Sequence, residues 1–346
     1  MVEIGGRPVG PGEPCFLIAE AGVNHNGDVN RARELVRLAA VAGADAIKFQ
    51  TFSAERLVTA SAPKAVYQAS RTDPGESQQD MLKRLELGPE DHALLMSDCR
   101  EAGILFLSSA FDEESADLLD KLGVAAFKVP SGEITNLPYL QHLARKGRCL
   151  IVSTGMSTLD EVALGVNAIR GAAAVPLVLL HCVSLYPAPA AGSNLLAMET
   201  LRRTFDVPVG YSDHSQGTAV ALAAVALGAD MIEKHFTVDR GLPGPDHAAS
   251  LEPGEFRPMV DGIRDVRAAL GDGVKRPIPE EAETAAVARK SVVATSDIPA
   301  GTVIRREMLT IKRPGTGIEP SRLPWVVGRQ ARAAIAAGSV ITPEMV

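Results

Sequence analysis

Residues 149–184 read CLIVSTGMSTLDEVALGVNAIRGAAAVPLVLLHCVS, and the apolar residues in them change period twice. CLIVSTG (149–155) and VLLHCVS (178–184) are short, continuously apolar runs, the pattern of strands buried on both faces. STLDEVALGVNAIRG (157–171) has helical spacing and ends at a glycine, as helices often do. Strand, helix and strand in that order predict a parallel βα unit. The same strand pattern recurs as FLIAEAG (16–22), AIKFQTF (46–52), ILFLSSA (104–110), AAFKVPS (125–131), VPVGYSD (207–213) and MIEKHFT (231–237). RARELVRLAAVAG after the first run and PEDHALLMSDCREAG before the third supply further helices. Eight such units predict an α/β fold, a (β/α)8 TIM barrel.

Working outward, the segment 53–88 is too long for an ordinary βα connection and is expected to be a lid over the barrel mouth. The barrel is expected to occupy residues 1–271 and to end with EPGEFRPMVDGIRDVRAALG (252–271). The charged, proline-containing stretch 272–289 reads as a linker. Beyond it, DIPAGTVIRREML (297–309) and AIAAGSVITPEMV (334–346) form a near-repeat with KRPGTGI (312–318) between the copies. Residues 290–346 are therefore expected to form a small β-rich domain of short strands and turns, with little core of its own.

The 346 residues hold 35 Lys and Arg against 42 Asp and Glu, a net charge of −7. With no dense basic run, neither nucleic acid nor an anionic membrane is an expected partner. The N-terminal MVEIGGRPVGPGEP lacks the charged and apolar regions of a signal peptide, and no apolar run approaches the ~18 residues of a membrane span. Cys15, Cys99, Cys149 and Cys182 are scattered without CxxC spacing, which suits buried thiols in a reducing cytoplasm.

Catalytic groups of a TIM barrel project from the C-terminal ends of its strands, and here nearly every strand ends in polar residues. They are Glu20, Asn24 and His25; Lys48 and Gln50; Ser108 and Ser109; Lys128, Ser131 and Glu133; Ser153 and Thr154; His181, Ser184 and Tyr186; Ser212, Asp213 and His214; and Glu233, Lys234 and His235. Lys48 and Lys128, with Ser131, Ser153 and Ser212 on adjacent strands, have the chemistry of a phosphate cradle. No Walker A or GxGxxG pattern accompanies them, so a small phosphorylated acid is favoured over a nucleotide. His214 and His235 end neighbouring strands and could bind a divalent metal with Glu233 holding its water, or could be a simple hydrogen-bonded pair.

These residues arrive in the strings AEAGVNHNGD, IKFQTF, KVPSGEITNLPYL, STGM, GYSDHS, EKHFT and GPDHAAS, in that order. The series resembles the sialic acid synthase family, which joins phosphoenolpyruvate to an N-acylated mannosamine-type sugar. The tail resembles that family's antifreeze-like SAF (β-clip) domain, with KRPGTGI as the matching motif. The insertion, with APKAVYQ and GESQQDMLKRLEL, most resembles the bacterial N-acetylneuraminate and N,N′-diacetyllegionaminate synthases.

The resemblance implies that Lys48, Lys128, Ser131, Ser153 and Ser212 hold phosphoenolpyruvate with Ser109 beside its phosphate. His214 and His235 would bind Mn²⁺ or Mg²⁺. Glu20, Gln50, Glu133, Tyr186 and Asp246 would line the sugar and the reacting centre, with Glu20 and Glu133 the acid/base candidates. Arg313 would reach from one subunit's tail into its partner's barrel to meet the N-acyl group, implying a domain-swapped homodimer. Two positions depart from the family pattern: Ser109 stands where a Thr is usual, and Ser184 where an Asn is common. The competing readings are another phosphoenolpyruvate-dependent sugar synthase, which would need extra cations for a second phosphate, and a carbohydrate-binding protein with an inert barrel.

Overall fold

Alternation along eight short strands decides what meets what in the first part of the chain. In the computed structural model, which describes residues 1–69, 71–73 and 75–346, the chain divides into two units, Met1–Gly271 and Asp272–Val346. The first opens with a hairpin, β1 (Val2–Ile4) and β2 (Arg7–Val9), that the sequence reading does not anticipate. Eight parallel strands follow: β3 (Phe16–Gly22), β4 (Ala46–Thr51), β5 (Leu105–Ala110), β6 (Ala126–Val129), β7 (Cys149–Ser153), β8 (Leu177–Cys182), β9 (Val209–Asp213) and β10 (Met231–His235). They close into a barrel in sequence order, with β10 pairing β3.

Eight helices are described between the first strand and residue 172: α1 (Val29–Val41), the short α2 (Ala54–Leu57), α3 (Val66–Ala69) and α4 (Gln78–Lys83) of the insertion, then α5 (Pro89–Ala102), α6 (Glu113–Leu122), α7 (Leu137–Arg145) and α8 (Leu159–Ala172). α9 (Ala197–Phe205), α10 (Ala219–Ala226) and α11 (Pro253–Leu270) complete the unit. Their starts are written locally. Thr158 caps α8 and Glu161 returns the bond to the Thr158 backbone N–H, a capping box, while Asp28 and Asp112 cap α1 and α6.

Because successive strand residues face opposite ways, each strand feeds two cores. Outward residues such as Leu17, Ile47, Phe127, Leu150 and Ile232 pack against the helices. Inward residues at the N-terminal ends, including Phe16, Ile18, Ala46, Ile151, Leu180 and Met231, fill the barrel, and Ile4 and Val9 of the hairpin join them. Gly210 is required by this interior: a Cβ there would lie 2.3 Å from the Met231 carbonyl oxygen and 2.7 Å from Leu180 Cδ2.

The same alternation splits the polar strand ends. Ser108, His181, Asp213 and Lys234 face the helices. Ser108 and His92 share Thr51 Oγ1 at 2.7 and 2.8 Å, and His181 Nε2 bonds the Ser193 carbonyl at 2.9 Å. Lys234, with no exposed side chain, donates to Asp213 Oδ2 at 2.8 Å and to the Ser215 carbonyl, while Asp213 Oδ1 accepts from the Ser215 N–H and hydroxyl. Asn24 Nδ2 donates to the Phe236 carbonyl and to Ser250 Oγ, both at 2.9 Å, tying the loop after β3 to the loops after β10.

The insertion is a folded wall, with Ser70 and Pro74 lying outside the described residues. Its Met81, Leu82 and Leu85 pack with Val23, Phe52 and Ala54 at the barrel top. Glu76 draws in Lys64 at 3.2 Å and Arg84. Arg84 also fixes a glycine: a Cβ on Gly27, at φ +75°, would lie 2.3 Å from the Arg84 carbonyl oxygen.

In the second unit the stretch read as a linker carries a helix, α12 (Glu281–Ala288). β11 (Ser291–Ala294) pairs antiparallel with β12 (Leu309–Lys312). The repeats meet each other, with Ile298 and Ile335 exchanging backbone hydrogen bonds at 2.8 Å. Against expectation this unit has a core of its own: Val292, Ile298, Ile304, Leu309, Val326, Ile335 and Ile341 are buried together.

Lys234→Ala should cost about 3–5 kcal/mol of stability, because it strands the buried Asp213 carboxylate. Urea unfolding checks this; a change below about 1 kcal/mol would mean that water reaches the carboxylate.

Candidate active site

Inward residues at the C-terminal ends of the strands form the floor of a cavity of about 440 Å³, a volume in the usual range for small-molecule sites. β3 contributes Glu20, β4 Lys48 and Gln50, β5 Ser109, β6 Lys128, β7 Ser153, β8 Cys182, β9 Ser212, and β10 Glu233 and His235. Ser131, Ser184, Tyr186, His214 and Asp246 arrive from the loops. Of the residues to which the family resemblance gives a role, all of the barrel's own except Glu133 line this one cavity. Glu133 does not: it lies in the turn after β6, where Asn136 Nδ2 donates to its Oε2 at 2.8 Å. Arg313 is exposed in the second unit.

Four buried charges organise the floor. Lys48 Nζ lies 2.6 Å from Glu20 Oε2 and 3.8 Å from Glu233 Oε1, and Lys128 Nζ lies 3.7 Å from the same Glu233 oxygen. Hydroxyls fill the remaining directions. Lys48 donates to Ser109 Oγ at 3.0 Å, Lys128 to Ser153 Oγ at 2.8 Å, and Ser212 Oγ to Glu233 Oε1 at 3.0 Å. Burial opposes ionisation of Glu233, but Lys128 and Lys48 outweigh it and hold the carboxyl below its ordinary value. For Glu20 burial prevails, helped by Glu233 and countered by Lys48, and the pKa rises to about 7. Burial also depresses Lys128, whereas Glu20 and Glu233 overcome burial at Lys48 and raise it. With Asp246 also beside Lys48, the two ammonium groups of Lys48 and Lys128 share the floor with the carboxyls of Glu20, Glu233 and Asp246.

Beside this node His214 and His235 face each other with ring centroids 5.4 Å apart, and Tyr186 covers both, at 4.2 Å from His214 and edge-on at 5.6 Å from His235. His214 Nδ1 donates to the Val183 carbonyl at 2.7 Å, which fixes the tautomer and leaves a lone pair on Nε2. Burial keeps both imidazoles neutral, lowering His214 and, with the nearby cations and His214 adding to it, His235 further. His235 Nδ1 and Glu233 Oε2 are buried without a hydrogen-bond partner. Neutral imidazoles and an unsatisfied carboxylate oxygen are the donors a divalent cation takes, so the residues fit one. Among the described residues no group of three or more His, Cys, Asp or Glu is arranged around one point, so other ligands would have to complete the shell.

Two features of this cavity escape a sequence reading. Cys182, one of four buried free thiols, points into the site and lies 3.1 Å from Ser131 Oγ, which accepts the Gly155 N–H at 3.0 Å. A Cβ at Gly155 would meet Ser184 Oγ at 2.3 Å and Cys182 Sγ at 2.8 Å, which explains the glycine of STGM. The other is the wall from the insertion, where Leu57, Val58, Gln68, Gln78, Met81 and Leu82 reach the cavity. Nothing but the length of that segment signals it in sequence.

The NeuB family model matches residues 35–275, and the SAF domain model matches residues 289–346. The chain is 48% identical to the N,N′-diacetyllegionaminic acid synthase of Legionella pneumophila over 97% of this chain and 95% of that protein. It is 47% identical to that of Campylobacter jejuni over 91% of this chain and 95% of that protein. Among solved structures it is similar to the N-acetylneuraminic acid (sialic acid) synthetase of Leptospira borgpetersenii in complex with citrate. That similarity has a TM-score of 0.73 at 36% identity and covers 82% of this chain and 94% of that one.

Asp246 supplies a pH test. Burial raises its carboxyl from 3.8 to about 6, with Lys48 acting against the shift. A carboxyl that binds its proton more tightly when folded favours the folded state below the unfolded value and loses that contribution as pH rises through the folded one. Asp246→Asn should therefore gain stability relative to the parent between about pH 4 and pH 6, by up to about 3 kcal/mol above it. Urea unfolding of both proteins at pH 4 and pH 7 checks this; an equal difference at the two pH values would refute it.

Proposed function

The chain belongs to the NeuB family, and from that premise we propose how its residues divide the work and which sugar it takes. It is a synthase that condenses phosphoenolpyruvate with an N-acylated mannosamine-type sugar, giving a nonulosonic acid and inorganic phosphate. The Lys48–Glu20–Glu233–Lys128 node with its three serine hydroxyls carries the assignment, because it is built to receive a small, multiply charged acid. Lys48, Lys128, Ser131, Ser153 and Ser212 would hold phosphoenolpyruvate, with Ser109 beside its phosphate. Ser109 keeps the hydroxyl of the usual Thr, and Lys48 uses it.

The methylene carbon of phosphoenolpyruvate forms the new bond to the sugar's aldehyde carbon, and positive character develops at the adjacent carbon. Water adds there, and the tetrahedral intermediate collapses to a ketone and releases phosphate by C–O cleavage, so one proton of the water must reach the former aldehyde oxygen and the proton of the new hydroxyl must reach the departing group. Glu20 is placed for such transfers, since a carboxyl balanced near pH 7 can give or take a proton. Glu133 lies off the cavity lining and would have to move to take part. His214 and His235, with Glu233 beside them, would hold Mn²⁺ or Mg²⁺. That cation's chemistry is to polarise a carbonyl as a Lewis acid. Gln50 and Asp246 flank Glu20, as shown by Gly22, whose added Cβ would lie 3.1 Å from Glu20 Oε1, 3.4 Å from Gln50 Nε2 and 3.7 Å from Asp246 Oδ2. They, with Tyr186, would line the sugar.

Similarity to the two diacetyllegionaminic acid synthases supports the 2,4-diacetamido-2,4,6-trideoxymannose as the sugar over N-acetylmannosamine. Ser184 in place of the usual Asn fits a changed sugar contact. The match to the SAF domain supports a homodimer in which Arg313 of one protomer serves the barrel of its partner. Among the described residues no helix is long and apolar enough to cross a membrane, and four unpaired thiols suit the cytoplasm.

Phosphate release from phosphoenolpyruvate and each sugar tests the activity. EDTA should abolish turnover and Mn²⁺ or Mg²⁺ restore it, with His214→Ala or His235→Ala mimicking the loss; full turnover after exhaustive chelation would remove the metal. Sugar binding without phosphate release would instead favour a binding protein. Arg313→Ala should raise the sugar KM while leaving that for phosphoenolpyruvate nearly unchanged. Mixed with His235→Ala subunits it should regain activity, and no recovery despite proven subunit exchange would place Arg313 in cis or outside the site.

A further inference from the structure

We propose that Gln68 and Gln78 form a donor–acceptor pair that reads a second acylamido group on the sugar. The inference rests on the reading of this cavity as a synthase site for a diacetamido sugar, and it names the residues that select that sugar.

The cavity has two chemically different sides. Its floor is ionic, whereas among the described residues the wall from the insertion carries no charge into it: Leu57, Val58, Met81 and Leu82 are apolar, and Gln68 and Gln78 are polar groups among them. The hydrogen-bond network fixes how the amides are turned. The Ala65 N–H donates to Gln68 Oε1 at 3.0 Å, which requires the oxygen at that position. Gln78 Nε2 donates to the same oxygen at 3.4 Å. Gln68 is thereby left with its NH₂ group to offer, and Gln78 with its carbonyl oxygen. Among the described residues neither Gln68 Nε2 nor Gln78 Oε1 has a protein partner.

One N–H donor beside one carbonyl acceptor is the complement of a secondary amide, which presents one C=O and one N–H. The surrounding wall suits the rest of such a group. A methyl of an acetyl or of a 6-deoxy position gains from burial against Leu57 and Met81, but hydroxyls at the same places would lose water with few partners in exchange. N-acetylmannosamine carries hydroxyls there. The wall is also held from behind, by Lys64 and Arg84 on Glu76 and by the packing of Met81 and Leu82, so its amides are presented by a braced surface.

Steady-state phosphate release with 2,4-diacetamido-2,4,6-trideoxymannose and with N-acetylmannosamine tests the pair. In Gln68→Glu the oxygen that serves Ala65 is kept and the donor is lost; in Gln78→Ala the acceptor is lost. Each should lower kcat/KM for the diacetamido sugar about tenfold, change that for N-acetylmannosamine less than about twofold, and leave the phosphoenolpyruvate KM unchanged. The uncharged Gln68→Met should behave like Gln68→Glu, which separates loss of the donor from the added charge. Equal losses with both sugars, a raised phosphoenolpyruvate KM, or no loss with either would overturn the proposal, since the amides would then be bracing the wall and reading nothing. A parent enzyme that turns over N-acetylmannosamine but not the diacetamido sugar would instead overturn the choice of sugar on which the proposal stands.

Discussion

Two lysines and two glutamates share the mouth of a closed barrel with their side chains almost wholly buried. No two of them suffice: Lys48 touches both carboxylates, and Glu233 takes both lysines through a single oxygen. Burying any of these ions alone would cost several kcal/mol, so their positions are mutually dictated. Everything around the node answers to that constraint. Ser109 and Ser153 accept from the lysines, Ser212 donates to Glu233, and burial raises Glu20 to about 7, where it can take up a proton near neutrality.

The barrel can carry such a node because its other end is finished in hydrocarbon. Phe16, Ile18, Ile151, Leu180 and Met231 fill the interior below, and Ile4 and Val9 of the N-terminal hairpin join that cluster. A second ion pair, Lys234 with Asp213, sits outside the sheet, one residue away from Glu233 and from His214 in sequence. It holds the segment after β9, whose His214 must present Nε2 to the cavity. The catalytic face and its support thus alternate along the same two strands.

The floor and the lid divide recognition. Charge at the strand ends suits the acid common to every reaction of the family, while the insertion supplies a neutral wall whose amides and side-chain volumes can vary without disturbing the ions. This separation is physical: a substituted wall residue alters local packing, but a substituted lysine leaves a buried carboxylate without its partner.

Short, continuously apolar runs and helical spacing between them determined the eight βα units, because a strand buried on both faces admits few polar residues before its end. They also marked Lys48, Lys128, Ser153, Ser212, Glu233 and His235 as strand-end groups, and their convergence follows from closing the barrel. What the sequence could not decide was direction and reach. Ser108, His181, Asp213 and Lys234 are as polar and as near the strand ends as their neighbours, yet they face the helices, since the inward phase of each strand is set by its pairing register with the next. Glu133 follows the lining residue Gly132 yet bonds Asn136 and does not line the cavity, and Gln68, Gln78 and Cys182 enter it without any motif to announce them. Contacts between residues distant in sequence place these groups, and local pattern carries no record of distance.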